Sequence, residues 1–138
     1  MKARILLLLA VLATVFSLTV PSADAGVEAV STVGAFFAAV DAGDHEAAVA
    51  MFAPDAVATL VRGKTYQGSE ELLDMVKLLA HPGRYHNIAR AEVEGDTVSV
   101  VVHIYDDGIR WGEDEVVIEV QEGQLHTYRE QTFRLRLR

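Results

Sequence analysis

The sequence predicts an α+β fold: three helices with a small hairpin among them, then four long antiparallel strands. Three observations carry this. In the first half, apolar residues recur at spacings of three and four. In the second half they alternate with polar residues, and short Gly-containing turns separate the alternating runs. Helices and strands are thus segregated along the chain, which points to α+β rather than to an alternating α/β sheet. At 138 residues the chain has the length of one domain.

Residues 1–25 read as a cleaved secretory signal peptide. Lys2 and Arg4 give a basic start, residues 5–20 are uncharged and apolar, and Ala23-x-Ala25 is a small-x-small cleavage site. The apolar run of 16 residues is shorter than the ~20 that a spanning helix needs. The expectation is therefore an exported protein, periplasmic or secreted, with no stable membrane anchor after cleavage and one domain over residues 26–138.

In that domain Val30, Val33, Phe37 and Val40 form the apolar stripe of a helix over residues 27–42, and Gly43 follows as its stop. Asp44 is placed to cap a second helix, His45 to Phe52. Residues 56–61 are apolar and suited to a strand, Arg62-Gly63-Lys64 is a turn, and Thr65-Tyr66 starts the return. Ser69 is the expected N-cap of a third helix, with Glu70 and Glu71 in its first turn, where negative charge suits the helix dipole. His81-Pro82-Gly83 ends that helix. The four strands then run over residues 84–94, 97–105, 109–121 and 124–137.

Composition excludes several classes of function. The chain lacks cysteine, so disulfide scaffolds, thiol nucleophiles and cysteine-ligated metals are out. Twelve basic against 20 acidic residues give a formal charge of −8, which disfavours nucleic acid and anionic lipid as main partners. No cofactor motif and no metal-ligand spacing such as H-E-x-x-H is present. His86 and His103 on neighbouring strands could in principle share a metal, but strand parity places them on the outer face. The acidic group Asp106, Asp107, Glu113, Asp114 and Glu115 reads as a solvated turn, and the tail from Arg134 to Arg138 as an edge strand with its basic side in water.

The segment Phe36-Phe37-Ala38-Ala39-Val40-Asp41-Ala42-Gly43-Asp44, running into Met51-Phe52-Ala53-Pro54-Asp55-Ala56, the glycine before the third helix and the four-strand ending together carry a resemblance. The mature chain resembles the SnoaL-like and ketosteroid-isomerase-like branch of the nuclear transport factor 2-like superfamily. The resemblance implies a cone-shaped α+β barrel, its curved sheet wrapped around the helices and an apolar pocket. That fold serves isomerases, cyclases, hydrolases and non-catalytic binding or assembly domains alike. Ketosteroid isomerase chemistry uses a carboxylate base, a tyrosine and a protonated acid. Carried onto this chain, the tyrosine place falls at Phe36, the base near Leu60, and the second acid near Glu115 or Val116. The late acid of SnoaL-type cyclases falls near Phe133, unless Glu130 substitutes.

Strand parity then ranks the remaining candidates. Pairing across Gly95-Asp96 puts Ala89, Ala91, Val93, Val98, Val100, Val102 and Ile104 on the core face, with Tyr85 and Asn87 continuing it; Arg84, His86 and His103 go outside. Trp111 falls beside Ile104, and a bulge near Gly112 is needed to bring Val116, Ile118 and Val120 inward as well. In the last strand either Leu125, Thr127, Arg129, Gln131 and Phe133 point inward or, one residue slipped, His126, Tyr128 and Glu130 do. The pocket-lining candidates are Phe36, Tyr66, Tyr85, Asn87, Trp111, Tyr128 and Arg129. With three family positions empty, the leading reading is binding of a small apolar or mixed-polarity molecule. The alternatives are an isomerase, cyclase or hydrolase using Glu130, Glu115 or His126, and a homodimeric assembly module; a homodimer through the outer sheet face is expected in any case.

Overall fold

The computed structural model describes residues 23–136. Residues 1–22, most of the expected signal peptide, lie outside them, and Ala23, Asp24 and Ala25 form the start of the first helix. Helix α1 (Ala23–Asp41) and helix α2 (His45–Ala50) are joined by a turn through Gly43, whose φ of 72° is the left-handed conformation that glycine adopts without strain. Asp44 caps α2 as expected, accepting the Ala47 N–H at 3.1 Å. Helix α2 is shorter than its apolar pattern suggested, because strand β1 (Phe52–Thr59) already begins at Phe52. Pro54 is tolerated in β1 because the pairing shifts there, so no ladder bond is missing its N–H.

Strand β2 (Thr65–Gln67) pairs with β1, and helix α3 (Gly68–Leu79) follows. Its cap is Gln67, not Ser69: the Gln67 N–H donates to the Glu71 carboxylate at 2.8 Å, a side chain of the first turn reaching back to the cap. Strands β3 (Arg84–Glu94), β4 (Thr97–Asp106), β5 (Ile109–Gln121) and β6 (Gln124–Leu135) form the meander. The sheet order is β2-β1-β6-β5-β4-β3, antiparallel except for the β1–β6 pair. Strand β6 is therefore internal over residues 125–129, and the sheet edges are β2 and β3.

The inner face of this sheet packs on the helices through one continuous core. Val33, Phe36 and Val40 of α1 and Met75 and Val76 of α3 meet Val98, Val100, Val102, Val116, Ile118, Leu125 and Tyr128 of the strands. Phe36 belongs wholly to this core, edge-on to Phe52 with ring centroids 5.4 Å apart and tilted against Tyr128 at 5.8 Å.

Register shifts decide which side chains leave the core for the far end of the sheet. Ala89 drops out of the β3–β4 ladder, Trp111 out of β4–β5, and His126 and Gln131 out of β5–β6. Each shift flips every side chain beyond it to the other face. Trp111 supplies the bulge expected near Gly112. The Ala89 bulge was not expected, and it corrects the β3 assignment: Arg84 and His86 turn inward, while Tyr85 and Asn87 turn outward. The two bulges of β6 reconcile both alternatives read from its sequence: Leu125, Tyr128, Glu130 and Phe133 point inward, and Arg129 outward.

Candidate functional site

Beyond the bulges, the inner face of the sheet and the end of α3 enclose a cavity of about 550 Å³, within the usual range for small-molecule sites. Leu60, Leu79, Ile104 and Phe133 make much of its wall apolar. Arg62 and Lys64, in the exposed β1–β2 turn, reach the rim, and Lys64 Nζ lies 4.7 Å from the centre of the Tyr66 ring. Trp111, 38% exposed, closes another side. It is stacked against by Arg84, which also grips Asp106 with two hydrogen bonds of 3.1 and 3.2 Å. That paired guanidinium holds the Asp106 carboxyl below its ordinary range.

The chemistry lies at the buried end. Asp114 is 5% exposed and faces the cavity from β5, in phase with Val116, Ile118 and Val120. Burial pushes its pKa up to about 9, assisted by the carboxyl of Glu130, which comes within hydrogen-bonding reach and repels a second negative charge. At neutral pH Asp114 therefore holds its proton. Glu130 is fixed from its other side by the Val61 N–H, which donates to it at 2.8 Å. Tyr128, fully buried beside them, has its hydroxyl held in the protonated form by burial and by the same two carboxyls.

Two polar atoms of this group have no hydrogen-bond partner among the described residues: Asp114 Oδ1 and the Tyr128 hydroxyl. Buried polar atoms are nearly always satisfied, and an orphan costs roughly 1–3 kcal/mol. Both orphans belong to residues that line one cavity.

Of the residues singled out in the sequence, Tyr66, Trp111, Tyr128 and Glu130 come together at this cavity. Phe36 does not line it. Tyr85, 42% exposed, stacks on Tyr105 outside the sheet, and Asn87 lies opposite His103 on that same outer face. Arg129 is exposed over a shallow outer groove with Val117 and Thr127. Glu115, facing Val101 and Thr132, also points outward. His126, at its bulge, approaches Asp55 at 3.8 Å and stays away from the cavity.

The sequence reading misplaces three residues of the site, Arg84, His86 and Asp114, the first two through the same bulge at Ala89. Asp114 was assigned to a solvated acidic turn, although its alternation with Val116 and Ile118 marks it as inward. His86 was assigned to the surface, and nothing in the sequence marks Ala89 as a bulge. Because His86 faces inward and His103 outward, the two cannot share a metal; among the described residues no group of three or more His, Asp or Glu is arranged to hold one.

Structures of similar fold come from several organisms. A provisionally assigned ketosteroid isomerase from Kribbella flavida is 16% identical, with 82% of this chain and 81% of that chain covered at a TM-score of 0.65. A protein of unknown function with a cystatin-like fold from Nostoc punctiforme is 21% identical, covering 80% and 92% at 0.68. A LEH-like epoxide hydrolase from M. tuberculosis is 21% identical, covering 77% and 83% at 0.61. These likenesses concern the fold. No curated protein matches the sequence. Residues 33–135, about three quarters of the chain, match the SnoaL-like domain, and the chain belongs to that family.

Proposed function

We propose that this protein is an acid–base enzyme acting on a small, largely apolar substrate that carries one oxygen acceptor. The observation that carries the proposal is the Asp114–Glu130 pair: a buried carboxyl that holds its proton, within hydrogen-bonding reach of a second carboxyl at the buried end of an apolar cavity. Carboxyls whose surroundings push their protonation apart divide the roles of acid and base. Asp114 is the acid and presents its proton to the substrate oxygen. Tyr128 donates a second hydrogen bond to that oxygen. Glu130, steadied by the Val61 N–H, takes a proton from a substrate C–H bond or from a water beside it. The apolar wall excludes bulk water and strengthens each of these interactions.

This reading selects catalysis over binding without chemistry. A binding pocket for an apolar molecule gains nothing from two unsatisfied polar atoms and a carboxyl pair. An assembly module would have filled the cavity with side chains. The ketosteroid isomerase and the epoxide hydrolase of similar fold are both named for reactions at carbon–oxygen frameworks, which agrees with the proposed class. The proposal also takes the sheet to close as a cone around the cavity. It takes residues 1–25 to be an export signal, supported by the basic, apolar, small-x-small order of that segment. A homodimer through the outer sheet face is supported by half-buried Val57, Val101 and Val117 there.

The test is proton exchange in D2O with a panel of cyclic ketones, keeping those whose binding is seen as NMR shifts at Tyr128 and Phe133. Wild-type protein should introduce deuterium next to the carbonyl, and Glu130→Gln should lose about 10²–10⁴ of that rate. A protein that binds such ketones and exchanges nothing would be a binder, and the acid–base proposal would fall.

A further inference from the structure

His86 is an inward-facing titratable side chain of the cavity that the carboxyl pair does not use, and it is held on several sides. Its side chain is 4% exposed. Nδ1 meets Asp41 Oδ1 at 2.5 Å, and the His86 backbone N–H donates to Asp41 Oδ2 at 2.8 Å. Phe37 stacks on the imidazole with ring centroids 5.2 Å apart and planes 27° apart. Together these contacts set the ring's position, plane and tautomer. With Nδ1–H donated to the carboxylate, Nε2 keeps its lone pair, and His86 is among the residues that line the cavity.

Asp41 has no helical reason to be where it is. It is the last residue of α1, the negative end of the helix dipole, where a carboxylate is disfavoured by roughly 0.3–1 kcal/mol. Both of its oxygens serve His86 instead. If the position needed only to fill space, an apolar residue would do so, as Ile88 does two residues along the strand.

We infer that Asp41 and His86 form a second proton-transfer station of the cavity, with His86 Nε2 as a catalytic base and Asp41 as its positioning residue. The inference rests on the acid–base reading only for the identity of the other station. His86 pairs with Ile104, and Asp114 with Val102, so the two stations are two strands apart on one wall. Strands spaced ~4.8 Å put their backbones on the order of 10 Å apart, with both side chains reaching into the same space. A substrate long enough to touch both can lose a proton at one end and gain one at the other. In such a step Nε2 takes the proton of a C–H or O–H bond and the bonding pair stays with the substrate. The oxygen at the far end takes the proton of Asp114. The resulting imidazolium, held by Asp41, returns its proton to solvent as the carboxyl pair regains one.

The charged groups near the imidazole are Asp41 from α1, Asp106 from β4 and Arg84 on its own strand, the last two paired to each other. The experiment uses the purified protein with ¹⁵N-labelled histidine, and carbethoxylation by diethyl pyrocarbonate followed by peptide mass mapping. At pH 8 His86 should appear as the Nδ1–H tautomer and should react despite its low exposure. Asp41→Asn offers one acceptor oxygen where two are needed. It should move His86 toward the Nε2–H tautomer and slow its carbethoxylation about tenfold, equivalent to ~1.4 kcal/mol of lost tautomer preference. An Nε2–H tautomer in the wild type, or a His86 that does not react, overturns the inference. So does a wild-type rate kept in Asp41→Asn. Asp114→Asn should leave the tautomer and the rate at His86 unchanged. Failure of the dyad is thereby distinguished from failure of the carboxyl pair, which is read separately at Asp114.

Discussion

Replacing Asp114 by asparagine tests the electrostatics of the site without knowledge of any substrate. Asparagine has the same shape, can still donate to Glu130, and does not titrate. In the wild type the folded carboxyl holds its proton up to about 9, while in the unfolded chain it loses the proton near the ordinary 3.8. Between those limits the folded state binds one proton more than the unfolded state. Stability must then fall as pH rises, by about 1.4 kcal/mol per pH unit for this one group. The favourable contribution is complete below the unfolded value and is lost progressively until the folded value is reached. From pH 5 to pH 8 the loss attributable to Asp114 approaches ~4 kcal/mol, and Asp114→Asn should lack it. Denaturant unfolding at several pH values, followed through Trp111, the sole tryptophan, gives both curves. Groups remote from Asp114 are common to the two proteins and cancel. The variant should gain on the wild type steadily with pH; parallel curves would mean that Asp114 is ionised in the fold, and the argument from a protonated Asp114 would fail.

Four further outcomes follow from the same geometry. Glu130→Gln removes the neighbouring carboxyl that assists burial at Asp114, so the protonated-acid infrared band of Asp114 should disappear at a lower pH than in the wild type as pH is raised. Gly112→Ala places a Cβ 3.1 Å from Phe133 Cε2 and 3.2 Å from the Arg134 carbonyl oxygen. It should cost about 1–3 kcal/mol in denaturant unfolding and displace Phe133 from the cavity wall, seen as weaker binding of any ketone retained in the exchange panel. Phe36→Ala should cost about 3–5 kcal/mol, because the ring is wholly buried core. Arg129→Gln, on the exposed outer face, should change stability by less than ~0.5 kcal/mol and leave ketone binding unaltered.

Much of the fold is legible in the chain because its elements are locally consistent. The helix stripe Val33–Phe37–Val40, the cap at Asp44 and the turns at Gly95, Gly108 and Gly123 each agree with the tertiary outcome. The site is less legible, and the reason is specific. Its residues lie beyond β-bulges, and a bulge is one residue whose effect is to invert the face of everything after it. Trp111 could be inferred because the apolar alternation of Val116, Ile118 and Val120 was out of phase with it. No such conflict announces Ala89, since Tyr85 and Asn87 look as plausible inside as His86 and Ile88. The β6 strand carries two inversions, so neither of its two simple registers is right, and Tyr128, Glu130 and Phe133 share the cavity only because both occur. Asp114 was the readable residue: it continues the Val116–Ile118–Val120 phase, but its chemical type argued for solvent and overrode its position.

That conflict between type and position is itself the argument for function. An aspartate at an inward position between Gly112 and Val116 lowers stability at physiological pH, by the proton it must hold and by an oxygen with no partner. Asparagine there would avoid the first cost, and a leucine or valine both. The same holds for Asp41 at the wrong end of its helix dipole and for the Tyr128 hydroxyl, where phenylalanine would serve the core as well. Sites where local rules are broken without a structural gain are where function is expected to lie. Here three such breaches, on three different elements, concern groups that line one cavity or hold a residue that does. A fold selected for packing alone would have no reason to gather them.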